Sequence, residues 1–119
     1  MTMDPKASAK KLSAAESYNL LELVDYAAGA IVSRTLAENE SGTITLFAFD
    51  VDQGLSEHTA PFDAFVQILD GKAEIVIAGK PVEARAGQIV LMPANIPHAL
   101  KAIEPFKMLL TMLRSRIAP

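Results

Sequence analysis

Short apolar stretches separated by turn-forming residues limit the fold of this chain more than any other feature. Thr43–Asp50 alternates apolar and polar side chains, and the Asp70-Gly71 pair is a hairpin signal between two further stretches. Strands are predicted at residues 30–35, 43–50, 64–69, 73–78, 82–85, 88–92, 98–102 and 107–114. Short strands at this spacing predict an all-β sandwich or barrel, and a jelly roll of two facing sheets limits exposed strand edges.

The chain has 119 residues, which is the size of one domain. Residues 1–17 are rich in Ala, Ser and Lys and are expected to form a flexible N-terminal tail. Residues 18–119 are expected to form the barrel domain. Within it, Asn19–Tyr26 fits either a helical turn or a first strand, so the barrel is expected to carry a short N-terminal extension.

Composition narrows the function classes. The chain has no cysteine, so disulfides and thiolate chemistry are excluded and any metal must take nitrogen and oxygen ligands. Its net charge of -3 gives no sign of a nucleic-acid surface. It has no apolar run of the ~18 residues that cross a membrane, and its first residues lack the apolar core of a secretory signal. A cytoplasmic location is therefore expected.

Two glycine-bounded stretches carry a recognisable pattern. Gly54–Gly71 contains His58, and Gly87–Ala102 contains a proline at Pro93 and a histidine at His98. The two stretches resemble the two motifs of the cupin family, and the likeness extends over roughly residues 40–112. The resemblance implies a double-stranded β-helix, the jelly-roll cupin barrel, which holds a ligand or a metal in its interior.

The chain departs from the family at three ligand or motif positions. If this chain were a metal-dependent cupin, the resemblance would imply four metal ligands: two histidines, one glutamate and one further histidine. Here alanines stand at the second histidine position (Ala60), at the glutamate position (Ala64) and at the motif's closing asparagine (Ala102). His58 and His98 remain, and they are the two histidines of the chain. We expect them to face each other inside one barrel.

The predicted pocket combines these histidines with apolar residues of the interior. Period-two alternation puts Phe47 and Phe49 on one face of a strand, and Met108, Leu110 and Met112 on one face of the last strand, where they form core or line a cavity. The pocket residues predicted from the motifs and this alternation are Phe47, His58, Ala60, Ala64, Val66, His98, Leu100 and Met108.

Two functions of different classes follow. One is a binding module that holds a small molecule in an apolar pocket oriented by the two histidines. The other is a metal-dependent enzyme of the dioxygenase or isomerase type, with Mn, Fe, Ni, Cu or Zn on His58 and His98 and with water or a carboxylate completing the site. Glu57 and Asp63 are the candidate carboxylates, although alternation turns Asp63 outward if Ala64 points inward.

Assembly is expected to be homodimeric, because an extra strand segment at residues 18–35 leaves an edge that a second copy can cover. The apolar stretch Ile31–Leu36 is the expected contributor.

Overall fold

The computed structural model describes residues 11–114, which contain a short 3-10 helix followed by nine strands. The helix spans Leu20–Glu22. The strands are β1 (Ile31–Asn39), β2 (Gly42–Phe49), β3 (Gly54–His58), β4 (Phe62–Asp70), β5 (Lys72–Ile77), β6 (Lys80–Arg85), β7 (Ile89–Met92), β8 (His98–Ala102) and β9 (Phe106–Arg114). The fold is therefore all-β, as the sequence predicts.

The strands form two antiparallel sheets. One has five strands in the order β1-β2-β9-β4-β7, and the other has four in the order β3-β8-β5-β6. Strands far apart in sequence are neighbours: β2 pairs with β9, and β3 pairs with β8. The two sheets face each other around one apolar interior, which confirms the predicted jelly-roll fold class.

Alternate residues of both sheets fill this interior. On β4 the buried residues are Ala64, Val66 and Ile68, because successive side chains point to opposite faces of a strand. Phe49 and Phe106 stack with ring centroids 4.5 Å apart. Full burial of a large apolar side chain stabilises a fold by roughly 1.5–3 kcal/mol. The interior is thus a packed core whose side chains come from nearly every strand.

A second apolar cluster lies on the outer face of the five-stranded sheet. There Val24, from the segment before β1, packs against Leu36, Leu46 and Ala48, all of which are buried. The Lys107 ammonium donates a hydrogen bond to the Leu21 carbonyl at 2.7 Å and so ties this segment to β9. The N-terminal extension therefore covers part of the sheet's outer face.

The structure resolves one open assignment and reveals one omission. Asn19–Tyr26, which fitted a helical turn or a strand, contains the 3-10 helix Leu20–Glu22 and pairs with no strand. The sequence patterns missed β3 entirely, because its exposed residues Ser56 and Glu57 interrupt any alternation. Residues 1–10 of the predicted tail and 115–119 of the predicted barrel lie outside the described residues. Across residues 11–114, no helix has the length and apolar character needed to cross a membrane.

Candidate functional site

The pairing of β3 with β8 brings the two histidines together. His58 is the register partner of His98, and Leu55 is the partner of Leu100. The step from Leu55 to His58 is three residues on β3 but only two on β8, so β3 carries a bulge at Ser56 and Glu57. Strict alternation from Leu55 would have turned position 57 inward. The bulge instead places His58 on the same face as His98.

Two backbone carbonyls fix the orientation of the imidazole rings. His58 Nδ1 lies 2.8 Å from the Ser56 carbonyl oxygen, and His98 Nδ1 lies 3.0 Å from the Ile96 carbonyl oxygen. Because a carbonyl oxygen can only accept, each Nδ1 must carry the proton that it donates. The remaining nitrogens, the two Nε2 atoms, approach each other to 3.2 Å, and the rings meet edge to face at 70°.

This geometry makes the pair a receptor for positive charge or for a hydrogen-bond donor. If both rings are neutral, each Nε2 presents a lone pair, and two lone pairs at 3.2 Å repel each other. A hydrogen bond between them requires one ring to carry protons on both nitrogens. Alternatively, a donor group or a cation that lies beside the pair, within reach of both Nε2 atoms, can interact with both lone pairs. The pair therefore has unmet acceptor capacity at two nitrogens that lie 3.2 Å apart.

The histidines lie at one end of the barrel. His98 is buried, with 4% of its surface exposed, whereas His58 is exposed at the end of β3. The same end includes Ala60, whose carbonyl accepts a hydrogen bond from the Asn95 amide at 2.8 Å. Asn95 has a left-handed backbone with φ 64°, which asparagine tolerates better than most residues. One histidine thus belongs to the barrel wall and the other to its mouth.

The other predicted pocket residues lie at different depths. Ala64, near the start of β4, is close to the histidine end and pairs with Met92 and Met112. Met108 pairs with Phe47 and lies four residues from Met112 along β9, about 13 Å at the usual rise of a strand. The fully buried Val66 and Met108, together with Leu100, belong to the packed core.

Met92 and Met112 flank Ala64 but were not among the predicted pocket residues. The alternation of the last strand had already grouped Met112 with Met108, so a signal for Met112 existed in the sequence. Met92 carried no comparable signal, because its position beside Ala64 depends on the pairing of β7 with β4.

Comparisons with known proteins agree with this architecture. The sequence matches the family described as "Cupin domain" over residues 45–112, which is more than half of the chain. The chain belongs to the cupin family. No match was found among curated proteins.

Several solved cupin-like structures are similar to this cupin. A conserved protein of unknown function from Streptococcus pyogenes is 38% identical, with a TM-score of 0.84, and the match covers 89% of this chain and 93% of that one. A cupin 2 conserved barrel domain protein from Leptotrichia buccalis is 40% identical, with a TM-score of 0.80 over 82% of this chain. This cupin spans only 47% of that protein's length. A cupin superfamily protein from Desulfitobacterium hafniense is 26% identical, with a TM-score of 0.83, and the match covers 89% of this chain and 97% of that one.

The candidate carboxylates do not complete a metal site in this cupin. Asp63 accepts a hydrogen bond from the Ala94 amide at 2.9 Å, so its carboxylate serves the loop before β8. Glu57 is exposed within the β3 bulge. Among residues 11–114, no group of three or more His, Asp or Glu side chains is placed to hold one metal ion.

The histidine pair by itself does fit two positions on an ion. Two bonds of 2.0–2.1 Å to one metal, at an angle of about 100°, put their nitrogens about 3.2 Å apart, which is the observed separation of 3.2 Å. His58 and His98 could therefore supply two adjacent ligands, and the other positions would fall to water or to a bound molecule. Catalytic metals usually take three protein ligands, so this set is one short.

Proposed function

We propose that this cupin binds a small molecule at the histidine end of its barrel, with the two Nε2 atoms accepting from one donor of the ligand. The observation that carries the proposal is the 3.2 Å separation of the two Nε2 acceptors, in rings whose Nδ1–H groups already donate to backbone carbonyls. A ligand hydroxyl placed beside them could share its one proton with both lone pairs in a bifurcated hydrogen bond.

The surroundings of the pair favour a ligand with an apolar body. Ala64, Met92 and Met112 are in register with one another at this end, and Ala64 and Met92 are almost fully buried. Alanine at positions 60 and 64 removes the bulk and the charge that the family's ligand residues would bring. An aromatic ring with a single hydroxyl group has both required features, and ligand sites are commonly apolar with few polar groups that fix orientation.

Phenols and their methyl ethers provide a matched test of this proposal. An ether keeps the shape of the phenol but has no proton to donate, so only the phenol should raise the melting temperature of the wild type. His58→Ala and His98→Ala should both abolish that difference. Equal stabilisation by the phenols and the ethers, or a phenol response that persists in both variants, would contradict the role of the histidine pair.

A metal-dependent enzyme of the dioxygenase or isomerase type is the second candidate, favoured by the agreement between the Nε2 separation and two metal bonds. A divalent ion there would supply Lewis-acid chemistry to a ligand oxygen. His58 and His98 would hold it and orient it through their carbonyl-bound Nδ1 atoms, as outer hydrogen bonds do for metal-bound histidines.

Metal titrations separate the two candidates. We expect Mn²⁺, Fe²⁺, Ni²⁺, Cu²⁺ and Zn²⁺ to shift the melting temperature of wild-type protein only slightly relative to a chelator. Two results together would favour the enzyme: near-stoichiometric metal in the purified protein, and a large rise in melting temperature with one ion that both histidine variants lose. The rise is expected because a bound ion stabilises the folded protein by mass action. Glu57→Gln then tests the carboxylate: a loss of that shift would make Glu57 a ligand.

A further inference from the structure

The Thr43 hydroxyl is a buried polar group without a hydrogen-bond partner among residues 11–114. Arg34 Nε is also unpartnered, but that guanidinium donates through Nη1 to the Leu23 carbonyl at 3.3 Å. A buried hydroxyl without a partner destabilises a fold, because it has lost its bonds to water and gained none in return. Such groups are rare in folded proteins, so the Thr43 hydroxyl calls for an explanation in terms of function.

Strand alternation turns the Thr43 side chain toward the barrel interior. On β2, Leu46 and Ala48 belong to the apolar cluster on the outer face, whereas Phe47 and Phe49 pack in the interior. Thr43 is an even number of residues away from both phenylalanines, so it lies on their face of the strand. The unpartnered hydroxyl is therefore inside the barrel.

Thr43 continues the row of side chains at the histidine end of the barrel. Its register partner on β9 is Met112, Met112 pairs in turn with Ala64 on β4, and Ala64 pairs with Met92 on β7. Register partners share one face of a sheet. Thr43 therefore lies two strands away from Ala64, about 10 Å at the usual strand spacing. The other three members of the row are apolar, so the hydroxyl is its one polar group.

The path of the chain puts His58 on the same side of the barrel. Residues 50–53 alone join β2 to β3, so β3 runs back along β2 in the facing sheet. Leu55 on β3 packs against the interior cluster that includes Phe49, the last residue of β2. His58 ends β3 and is therefore directed toward the start of β2, where Thr43 lies. Facing sheets are about 10 Å apart, a gap that one small molecule can bridge.

The charges beside Thr43 indicate what kind of ligand group its hydroxyl would meet. Its register partner in β1 is Glu38, which is exposed. Arg114, at the end of β9, already donates through Nε to the Glu40 carbonyl at 2.9 Å, and its guanidinium lies 4.9 Å from the centre of the Phe62 ring. The charge in register with the hydroxyl is thus negative, which disfavours an anionic ligand group and favours a neutral one.

We propose that Thr43 is a specificity residue of the ligand site, and that the ligand carries a second, neutral oxygen that hydrogen-bonds to the Thr43 hydroxyl. The inference rests on the proposed function, since it assumes that one ligand oxygen lies at the pair of His58 and His98. The two polar ends of an otherwise apolar molecule are then bound at opposite sides of the site. A threonine hydroxyl both donates and accepts, so a ligand hydroxymethyl group or an ether oxygen can pair with it.

Phenols of nearly equal shape isolate this contact. Ethyl, methoxy and hydroxymethyl phenols, substituted at the 3- or 4-position, keep the phenolic hydroxyl for the histidines and differ in whether the second group contains oxygen. Thr43→Val keeps the shape of threonine. We expect it to weaken binding of at least one oxygenated phenol about five- to tenfold relative to its ethyl counterpart, measured by titration calorimetry. Thr43→Ser keeps the hydroxyl and should retain the wild-type preference.

Thr111→Val is the matched control, because Thr111 pairs with Ile44 of the outer cluster and so faces away from the interior. It should leave every preference unchanged. If wild type and Thr43→Val show equal preferences while phenol binding still requires both histidines, the role of Thr43 is overturned and the proposed function stands. Failure of the wild type to bind any of these phenols overturns both. Tighter binding of 4-hydroxybenzoate than of 4-hydroxybenzamide overturns the assignment of a neutral group.

Thermal unfolding without ligand gives an independent readout. A hydroxyl that serves a ligand rather than the fold is dispensable in the free protein, so Thr43→Val should melt at the wild-type temperature or above it. A melting temperature several degrees lower, or a failure to fold, would mean that the hydroxyl has a structural partner and would overturn the proposal.

Discussion

Replacing each histidine by alanine should destabilise the two variants unequally, even though the rings touch. The His98 ring is almost fully buried, at 4% exposure, and its Nδ1 donates to the Ile96 carbonyl at 3.0 Å. Removing it costs about 1 kcal/mol for the hydrogen bond, and about 1–2 kcal/mol more for the packing and the void. His58 is exposed, so water can replace its bond to Ser56, and its removal should cost less than about 1 kcal/mol.

Thermal unfolding in the presence of a chelator measures this difference without any contribution from metal. At about 4 °C per kcal/mol for a domain of this size, His98→Ala should melt about 8–12 °C below wild type and His58→Ala less than about 4 °C below it. Both variants should keep the β-sheet circular dichroism spectrum. Equal losses would refute the argument, because they would mean that contact between the rings, rather than burial and the loop carbonyl, carries the stability.

Three further predictions concern the frame around the site. Gly71→Ala should destabilise the protein far more than Gly79→Ala. Both glycines have positive φ (76° and 80°), but only at Gly71 would the new Cβ clash, because it would lie 2.0 Å from a backbone carbonyl oxygen. Chemical denaturation should therefore give unfolding free energies for the two variants that differ by at least about 2 kcal/mol. Hydrogen bonds from the backbone amides of Gly29 and Val51 lower the pKa of the Asp50 carboxyl. The stability that Asp50→Asn removes should therefore be present near neutral pH and vanish as the pH falls through that lowered pKa. A stability loss that is unchanged in acid would contradict this. The pKa of the Tyr26 phenol is raised, mainly by burial and next by a hydrogen bond to a carboxylate. An absorbance titration at alkaline pH should therefore show a phenol that ionises late, and Tyr26→Phe should remove that signal.

Local patterns were sufficient to predict most of the fold. Alternating stretches such as Thr43–Asp50, with turn signals such as Asp70-Gly71, predict strands and hairpins because side-chain period and backbone turn geometry are properties of a few neighbouring residues. The cupin resemblance added the jelly-roll arrangement and singled out His58 and His98. The family match over residues 45–112 agrees with that interpretation.

The details of the site depended on pairings between distant strands. The bulge in β3 exists only relative to β8, and it determines that His58 rather than Glu57 faces His98. The carbonyls that hold the Nδ1 atoms are local, each two residues before its histidine, but the 3.2 Å approach of the Nε2 atoms requires the pairing of β3 with β8. Likewise, only the docking of Val24 on the outer sheet face shows which half of that face is covered. Sequence alone determined which side chains are available to this cupin for its chemistry. The register between strands decided where those side chains meet, because register depends on contacts over the whole barrel.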